Sequence, residues 1–406
     1  MTGRPASEGG IRSMLRASAL RPSRAKPAPP FVVSLAVSAG FATVYITQPV
    51  LPVLQREFGV DASTASLTVS AVVLGIAISN LPFGVAADRF PIRRIILAGG
   101  FVVGMASLVC AATRSLALLV VARFVQGLFI PALSTCIAAY LARTVSVDRL
   151  GVVMGSYVSA SVTGGLAGRL LGGFVVPAER WRMAFVIAAG LLFAITLVTV
   201  GLLPRDDAPR RAGAVEVGFA ALLRRPPLLR MFAVGFSSFF VFSAMFNYMP
   251  FHLSAPPLNA SIRVVTLLYL TYIVGIVIGP LAGKLAGRLG TGPTLMCGSV
   301  VFAAAIALTL VNSLLVVAVS LAGICAGFFG MHAAAVGSLN RRVAESRGRA
   351  NSLYVLLYYL GGAAGISATG AAFVHGGWHG AVALGLAGLL VPFGIGLFEL
   401  RAARAG

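Results

Sequence analysis

The chain has 406 residues, of which 58% are hydrophobic and 11% are charged, and its formal net charge is +21. A soluble protein could not cover so much apolar surface with so few charges, so this composition excludes a water-soluble globular protein. The basic residues form short clusters between apolar runs and do not line one face, which argues against a nucleic-acid-binding protein.

Twelve apolar runs follow one another along the chain, and most approach the roughly 20 residues that a helix needs to cross a hydrocarbon core of about 30 Å. They predict an all-α integral membrane protein with twelve transmembrane helices, called spans 1 to 12 below. The runs lie near residues 31–54, 65–87, 95–112, 116–141, 151–175, 182–203, 229–253, 263–287, 294–312, 314–339, 351–374 and 380–400.

A long polar interval divides the spans into two sets of six. We expect an N-terminal six-helix bundle over 31–203, a central cytoplasmic loop over 204–228 and a C-terminal six-helix bundle over 229–400. The first 30 residues are basic and contain several prolines, and no apolar signal-peptide core precedes span 1. They predict a disordered cytoplasmic tail over 1–30, and residues 401–406 form a second, short tail.

The basic residues also predict the orientation. Of the 32 Arg and Lys residues, 25 lie in the tails and the even-numbered loops, whereas five lie in the odd-numbered loops. The positive-inside rule therefore places both termini in the cytoplasm. The remaining two basic residues, Arg123 and Arg169, lie inside spans.

The two halves of the chain share a repeat, because residues in and after span 5 recur at one common offset in and after span 11. Tyr157, Gly164, Gly165, Gly168 and Trp181 correspond to Tyr354, Gly361, Gly362, Gly365 and Trp378. Six-plus-six repeats of this kind are the internal symmetry of one class of secondary transporter.

The loop after span 2 carries a recognisable motif, GVAADRFPIRR, over residues 84–94. It resembles the signature loop of the major facilitator superfamily, in which Gly is followed four residues later by Asp-Arg, and then by Gly and basic residues. Pro91 stands here where the family usually has the second Gly. The resemblance implies the twelve-helix major facilitator fold.

The same resemblance implies a gate on the cytoplasmic side. Asp88 would face the positive end of span 11, near Asn351 and Ser352, and would pair with Arg143. The residues that we expect to form this gate are Gly84, Asp88, Arg89, Arg93 and Arg143.

The two intramembrane arginines are the main candidates for solute binding or coupling, because a guanidinium inside a span costs at least a few kcal/mol. Arg123 and Gln126 lie one turn apart in span 4 and resemble the RxxQG element of proton antiporters in the superfamily. Arg123 could instead reach the outer interface.

Arg169 lies in a similar layer of span 5. Because the span cores contain no Asp or Glu, carbonyls, hydroxyls, water or a bound anion must satisfy both guanidiniums. We therefore expect a cavity that favours anionic or hydroxyl-rich solutes.

Small residues recur along span 5, and Gly155, Gly164, Gly165 and Gly168 form a predicted helix-packing motif. The stretch resembles the antiporter motif of the drug-efflux branch without its Gly-Pro pair. The matching row in span 11 leaves two readings open, ordinary close packing or a rocking interface that both halves share.

Other polar residues lie on spans 1, 7 and 10, which by family analogy surround the substrate path together with span 4. They are Tyr45, Gln48, Asn247, Tyr248 and His332. The imidazole of His332 could exchange protons near neutral pH, or it could only hydrogen-bond a neighbouring helix.

The sequence thus predicts a secondary transporter that moves a small solute across the bacterial inner membrane by alternating access, and it resembles the proton-coupled drug and sugar efflux branch. Uniport or exchange of an anionic or hydroxyl-rich solute is the alternative, and a non-catalytic membrane receptor is a third possibility.

The spans lack a carboxylate pair, HExxH and a Cys/His cluster, so we expect neither an enzyme nor a metal site. No P-loop is present, and we expect no cofactor. The expected partners are the solute, protons and the lipid bilayer, with the chain acting as a monomer.

Overall fold

The computed structural model describes residues 30–145, 147–203, 218–343 and 347–405, and in these ranges all regular structure is helical. Eleven helical segments are long and apolar enough to cross a membrane, and the last of them, Gly348–Arg404, has 57 residues. At 1.5 Å per residue this segment would be about 85 Å long, more than twice the hydrocarbon core. It breaks at Gly377, where φ is 57° and ψ is −147°, and so provides spans 11 and 12. The twelve predicted spans are therefore confirmed.

The first six spans are Pro30–Val44 with Leu51–Phe58, Ala62–Arg89, Ile92–Ala112, Leu116–Leu133 with Thr135–Thr144, Val147–Leu170, and Trp181–Leu202. Spans 7 to 12 are Pro226–Ser254, Ile262–Leu268 with Tyr272–Leu289, Thr291–Leu308, Leu314–Arg342, and the two parts of Arg347–Ala405. A short helix, Phe219–Leu223, precedes span 7. Residues 1–29 of the predicted 1–30 tail and residues 204–217 of the predicted central loop lie outside the described residues.

The spans form two six-helix bundles, and glycines set the closest helix contact in the first. A Cβ at Gly164 would lie 2.3 Å from the carbonyl oxygen of Ser38, and one at Gly168 would lie 1.9 Å from that of Ala42. Only glycine permits this approach, so the row in span 5 packs directly on the backbone of span 1.

The second bundle repeats this contact between spans 11 and 7. A Cβ at Gly361 would lie 2.2 Å from the carbonyl oxygen of Phe236, and one at Gly365 would lie 2.1 Å from that of Phe240. Gly164, Gly168, Gly361 and Gly365 therefore pack within each bundle, as the close-packing reading expects, and the rocking interface stays a prediction. The absence of a side chain on glycine is needed here for helix packing inside each half.

Replacing Gly168 with alanine is expected to lower the stability of the protein by about 1–3 kcal/mol, because the new methyl group would overlap a backbone carbonyl that cannot move alone. Gly155→Ala is the matched control, since a Cβ at Gly155 would meet no atom within 4 Å. Thermal unfolding of the two variants in the same detergent checks the prediction. Equal melting temperatures would contradict it.

Ionic clusters hold the ends of each bundle together. On the side opposite the termini, called the far side below, Arg182 Nη2 lies 2.7 Å from Glu57 Oε1, and Trp181 Nε1 donates to Glu57 Oε2. On the side where span 1 begins and span 12 ends, called the terminal side, Glu399 accepts from Arg230 and Arg342. These clusters join spans 1 and 6 and spans 7, 10 and 12.

The two bundles meet closely on the far side. Span 2 packs on span 11, and a Cβ at Gly370 would lie 2.2 Å from Ser63 Oγ. Span 5 meets span 8, since a Cβ at Gly173 would lie 2.2 Å from Thr266 Oγ1. These contacts close the far side between the bundles.

A groove opens on the terminal side along spans 1 and 5. Its volume is about 600 Å³, and hydroxyl groups are prominent in its lining. The hydroxyl residues are Ser34, Ser38, Ser156, Ser159 and Thr163. Beyond Gly155, the glycines of the terminal half of span 8, Gly279, Gly283 and Gly287, also have open space where a Cβ would lie.

Candidate functional site

Span 1 is interrupted in the middle of the predicted membrane layer. Its first helix ends at Val44, a 3-10 turn covers Gln48–Val50, and the second helix begins at Leu51. Pro49 and Pro52 lack the backbone N–H that a continuous helix would use. The last carbonyls of the first helix therefore need other donors.

Arg123 supplies these donors. Its side chain is fully buried, and Nη1 donates to the carbonyl of Thr43 at 2.6 Å while Nη2 donates to that of Val44. Nε donates to the carbonyl of Thr68 at 2.8 Å, and Nη1 also donates to Gln126 Oε1 at 2.7 Å. Arg123 thus joins spans 1, 2 and 4 and does not reach the outer interface.

Gln126 extends this network to span 3. Its Nε2 donates to Ser107 Oγ at 2.7 Å, and its side chain is fully buried. All three nitrogens of the Arg123 guanidinium therefore donate to acceptors of the protein. One of these acceptors is Gln126, the residue expected to pair with Arg123 in span 4. This hydrogen-bond network holds spans 1, 2, 3 and 4 of the N-terminal bundle together.

Arg169 has a different environment, between the two bundles. Its side chain is 2% exposed, Nε donates to Gln48 Oε1 at 2.7 Å, and Nη2 donates to the hydroxyl of Tyr272 at 3.0 Å. Its guanidinium carbon lies 3.9 Å from the ring centroid of Tyr45, 4.4 Å from that of Tyr272 and 5.2 Å from that of Tyr269. Such short cation–π contacts stabilise a desolvated guanidinium.

These residues form what we call the Arg169 cage: Tyr45, Gln48, Arg169, Tyr269 and Tyr272. Within the described residues, Nη1 of Arg169 donates to no hydrogen-bond acceptor. This edge of the guanidinium can therefore donate to an acceptor on a bound molecule. The ion pairs found in these ranges use Asp88, Glu57 and Glu399, and Arg169 takes part in none of them.

Backbone irregularities from three spans converge on the cage. Span 1 is interrupted beside Tyr45, span 5 continues after Leu170 as a π-helical turn over Leu171–Val175, and span 8 contains a 3-10 turn over Tyr269–Thr271. Irregular backbone at membrane depth is tolerated where it is buried in protein or lines a cavity, and interrupted helices form solute sites in transporters. The cage therefore has the backbone features of a solute site.

The structure brings Tyr45, Gln48 and Arg169 together, as candidates for one site require. Tyr269 and Tyr272, which complete the cage from span 8, were missed by the sequence analysis. A Tyr-x-x-Tyr pair in an apolar span was the available signal, but its direction depends on the turn between the two helices of span 8.

Asn247 and Tyr248 lie at other contacts of span 7. Asn247 Nδ2 donates to Ser66 Oγ at 2.8 Å and thus links span 7 to span 2 across the bundles. The hydroxyl of Tyr248 donates to the carbonyl of Ile366 at 2.9 Å, inside the C-terminal bundle. Both side chains are fully buried.

His332 lies among aromatic side chains of the C-terminal bundle. Its Nδ1 is 3.0 Å from the hydroxyl of Tyr354, and its ring centroid is 5.2 Å from that of Tyr358. The side chain is partly buried. The imidazole therefore links span 10 to span 11 through the hydroxyl of Tyr354.

The expected gate is partly assembled in the structure. Arg143 Nη1 lies 3.2 Å from Asp88 Oδ1 and 3.0 Å from the carbonyl of Ala87. Asp88, however, is 74% exposed, and Asn80 rather than Asp88 reaches the start of span 11, where its Nδ2 donates to the carbonyl of Ser352 at 3.4 Å. The expected contact of Asp88 with Asn351 and Ser352 is corrected accordingly, because Asp88 lies two turns, about 12 Å, past Asn80.

The remaining residues of the expected gate lie near that ion pair in the chain. Arg89 is exposed, and Arg93 is partly buried at the start of span 3. A Cβ at Gly84 would meet no atom within 4 Å, so packing does not require glycine there.

Comparisons with known proteins agree with this fold. The family model of the Major Facilitator Superfamily matches residues 33–291. The chain is 30% identical to the uncharacterized MFS-type transporter YybF of Bacillus subtilis, with 86% of each chain covered. It is 28% identical to the inner membrane transport protein YnfM of Escherichia coli, over 84% of this chain and 83% of YnfM.

Solved structures share the architecture at lower identity. A bacterial homologue of the human lysosomal transporter Spinster, inward-facing and occupied, has a TM-score of 0.70 at 17% identity, with 92% of this chain and 96% of that one covered. The human organic anion transporter MFSD10 has a TM-score of 0.66 at 19% identity, with 90% and 98% covered. The chain is therefore a multi-pass membrane transporter that belongs to the major facilitator superfamily.

Proposed function

We propose that this transporter carries a small organic anion by alternating access and that the Arg169 cage binds the anionic group. The observation that carries the proposal is a buried guanidinium between the bundles with no carboxylate partner in the described residues. A cation at membrane depth without a carboxylate partner is costly, and an anionic solute would offset that cost. The cage tyrosines and the hydroxyl-lined groove suit a solute that also carries hydroxyl groups.

Alternating access is supported by the contrast between the two sides. On the far side Asn247, Tyr272 and Gly173 contact the opposite bundle, whereas the groove along spans 1 and 5 opens on the terminal side. Opening the far side would have to break the Arg169–Tyr272 hydrogen bond. We infer from the basic loops that the terminal side is cytoplasmic and that the membrane is the bacterial inner membrane.

The experiment is a solute screen with the purified chain in liposomes. Uptake of radiolabelled carboxylates, sugar phosphates, neutral sugars and cationic drugs is compared with that of protein-free liposomes. We expect saturable uptake of anionic compounds and competition among them. Uptake restricted to cationic drugs or neutral sugars would refute the anion proposal.

Proton-coupled efflux is our second proposal, and His332 is the observation that favours it. An imidazole changes charge between about pH 5 and pH 8, and His332 is hydrogen-bonded to Tyr354 beside partly buried tyrosines. If it carries the coupled proton, an outward-directed solute flux would be driven by the inward proton gradient. Uniport or anion exchange is the outcome if no proton moves.

Replacing His332 with glutamine is expected to abolish solute accumulation driven by a pH gradient while gradient-free counterflow of the same solute remains within about threefold of wild type. Glutamine keeps hydrogen-bonding capacity but cannot carry a proton near neutral pH. Tyr354→Phe is the matched control, because it removes only the hydroxyl partner. A pH-sensitive dye inside the liposomes checks the prediction, and unchanged proton movement in His332→Gln would exclude this coupling role.

A further inference from the structure

An apolar groove lies on the outer surface of the C-terminal bundle, between spans 7, 11 and 12. Its volume is about 450 Å³. Span 7 contributes Leu229, Ala233, Phe236 and Phe240, and span 12 contributes Gly388 and Val391. The side chains of Leu229 and Val391 are 43% and 45% exposed, so the groove opens outward toward the hydrocarbon layer.

The axial extent of the groove corresponds to one leaflet. From Leu229 to Phe240 the helix rises by about 16 Å, roughly half of a 30 Å hydrocarbon core. The groove also begins at the first turn of span 7, because that span starts at Pro226. It therefore faces the acyl chains of the leaflet on the terminal side.

Two arginines lie at the entrance to this groove. Arg225 is the N-cap residue of span 7, about one turn before Leu229, and Arg224 is its neighbour. Both side chains are exposed. The nearby Arg230 is already paired with Glu399 at 2.7 Å, whereas neither Arg224 nor Arg225 takes part in an ion pair among the described residues.

We propose that the groove and these two arginines form a binding site for an anionic phospholipid. The headgroup phosphate would accept hydrogen bonds from the guanidiniums, and one acyl chain would occupy the groove. Charge and apolar surface lie at the heights that a lipid of this leaflet requires. The acyl chain of the lipid would pack beside the contact in which Gly361 and Gly365 hold span 11 against span 7. Bound lipid is therefore expected to stabilise the C-terminal bundle.

The experiment measures thermal unfolding of the purified full chain in detergent with added phosphatidylglycerol or phosphatidylcholine of the same acyl composition. We expect phosphatidylglycerol to raise the melting temperature by about 5 °C more than phosphatidylcholine does. The double variant Arg224→Gln, Arg225→Gln should lose this difference. The matched control is Lys284→Gln, Arg288→Gln, which removes two exposed cations at the end of span 8 and should keep it.

Two further arms test the acyl chain. Ala233→Trp fills the groove without changing charge, and its melting temperature without lipid should match wild type while the phosphatidylglycerol effect is lost. Glycerol phosphate should give no shift. The proposal is overturned if the control pair loses the effect equally or if glycerol phosphate reproduces it. It is also overturned if the wild-type protein proves to be a dimer in detergent and Ala233→Trp makes it a monomer, because the groove would then be a dimer interface.

Discussion

Replacing Arg123 with alanine is expected to destabilise the N-terminal bundle by about 3 kcal/mol or more. The change would leave the buried carbonyls of Thr43, Val44 and Thr68 without the donors that they have in the structure. Each buried acceptor that loses its partner costs about 1–3 kcal/mol, and the carbonyls of Thr43 and Val44 lie at the interruption of span 1, where no intrahelical donor replaces Arg123. Thermal unfolding in detergent measures the loss.

Two variants separate this structural role from a role in solute binding. Arg123→Lys keeps the charge, but an ammonium group cannot match the planar fork that reaches Thr68, Val44 and Gln126 at once, so most of the stability loss should remain. Arg114→Ala removes an exposed arginine on the far side and should change stability by less than about 0.5 kcal/mol. An Arg123→Ala protein that melts like wild type yet binds no solute would contradict the structural role.

The distinction between the two buried arginines could not be drawn from sequence. Both Arg123 and Arg169 lie in apolar spans, in a similar layer, without an acidic residue nearby in the chain. The difference arises because span 1 is interrupted and exposes carbonyls to Arg123, whereas Arg169 faces the second bundle. Pro49 and Pro52 indicated an interruption, but not which side chain would satisfy it.

The number of spans and the internal repeat could be predicted because both follow from local pattern. An apolar run of about 20 residues crosses a bilayer as an α-helix, because a helix satisfies all of its backbone hydrogen bonds internally. The regularly spaced glycines of spans 5 and 11 can be read directly from the sequence. What the rows contact was not predictable, since either a partner span in the same bundle or the opposite half could accept a glycine face.

Contacts between distant residues were also beyond sequence reasoning. In the sequence Glu399 is an acidic residue near the end of a predicted span, yet it binds Arg230 from span 7 and Arg342 from span 10. Glu57 likewise binds Arg182 across the first bundle. In a chain with 11 acidic and 32 basic residues, many pairings of opposite charge are available, and only the helix arrangement selects among them.

Replacing Arg169 with glutamine is expected to reduce affinity for the transported anion by about 100-fold while the protein remains folded. A hydrogen bond between a charged group and its partner contributes about 1.5–3 kcal/mol, and the upper value corresponds to roughly two orders of magnitude in Kd. Glutamine can still bond Gln48 and Tyr272, so the packing of spans 5 and 8 should survive. Binding of the anion identified in the solute screen, measured by isothermal titration calorimetry, gives the result.

Arg169→Lys and Tyr272→Phe show whether the cage binds the solute or only closes the far side. Lysine keeps the positive charge but loses the planar stacking between Tyr45 and Tyr272, so we expect an intermediate, roughly tenfold loss of affinity. Tyr272→Phe keeps the ring and removes the hydroxyl that accepts from Nη2. It should preserve or improve anion affinity, because one more guanidinium edge becomes available, while weakening the link between the bundles. If Tyr272→Phe lost affinity as fully as Arg169→Gln, the hydrogen bond across the bundles would be the important feature, and Arg169 would be a latch rather than the solute-binding cation.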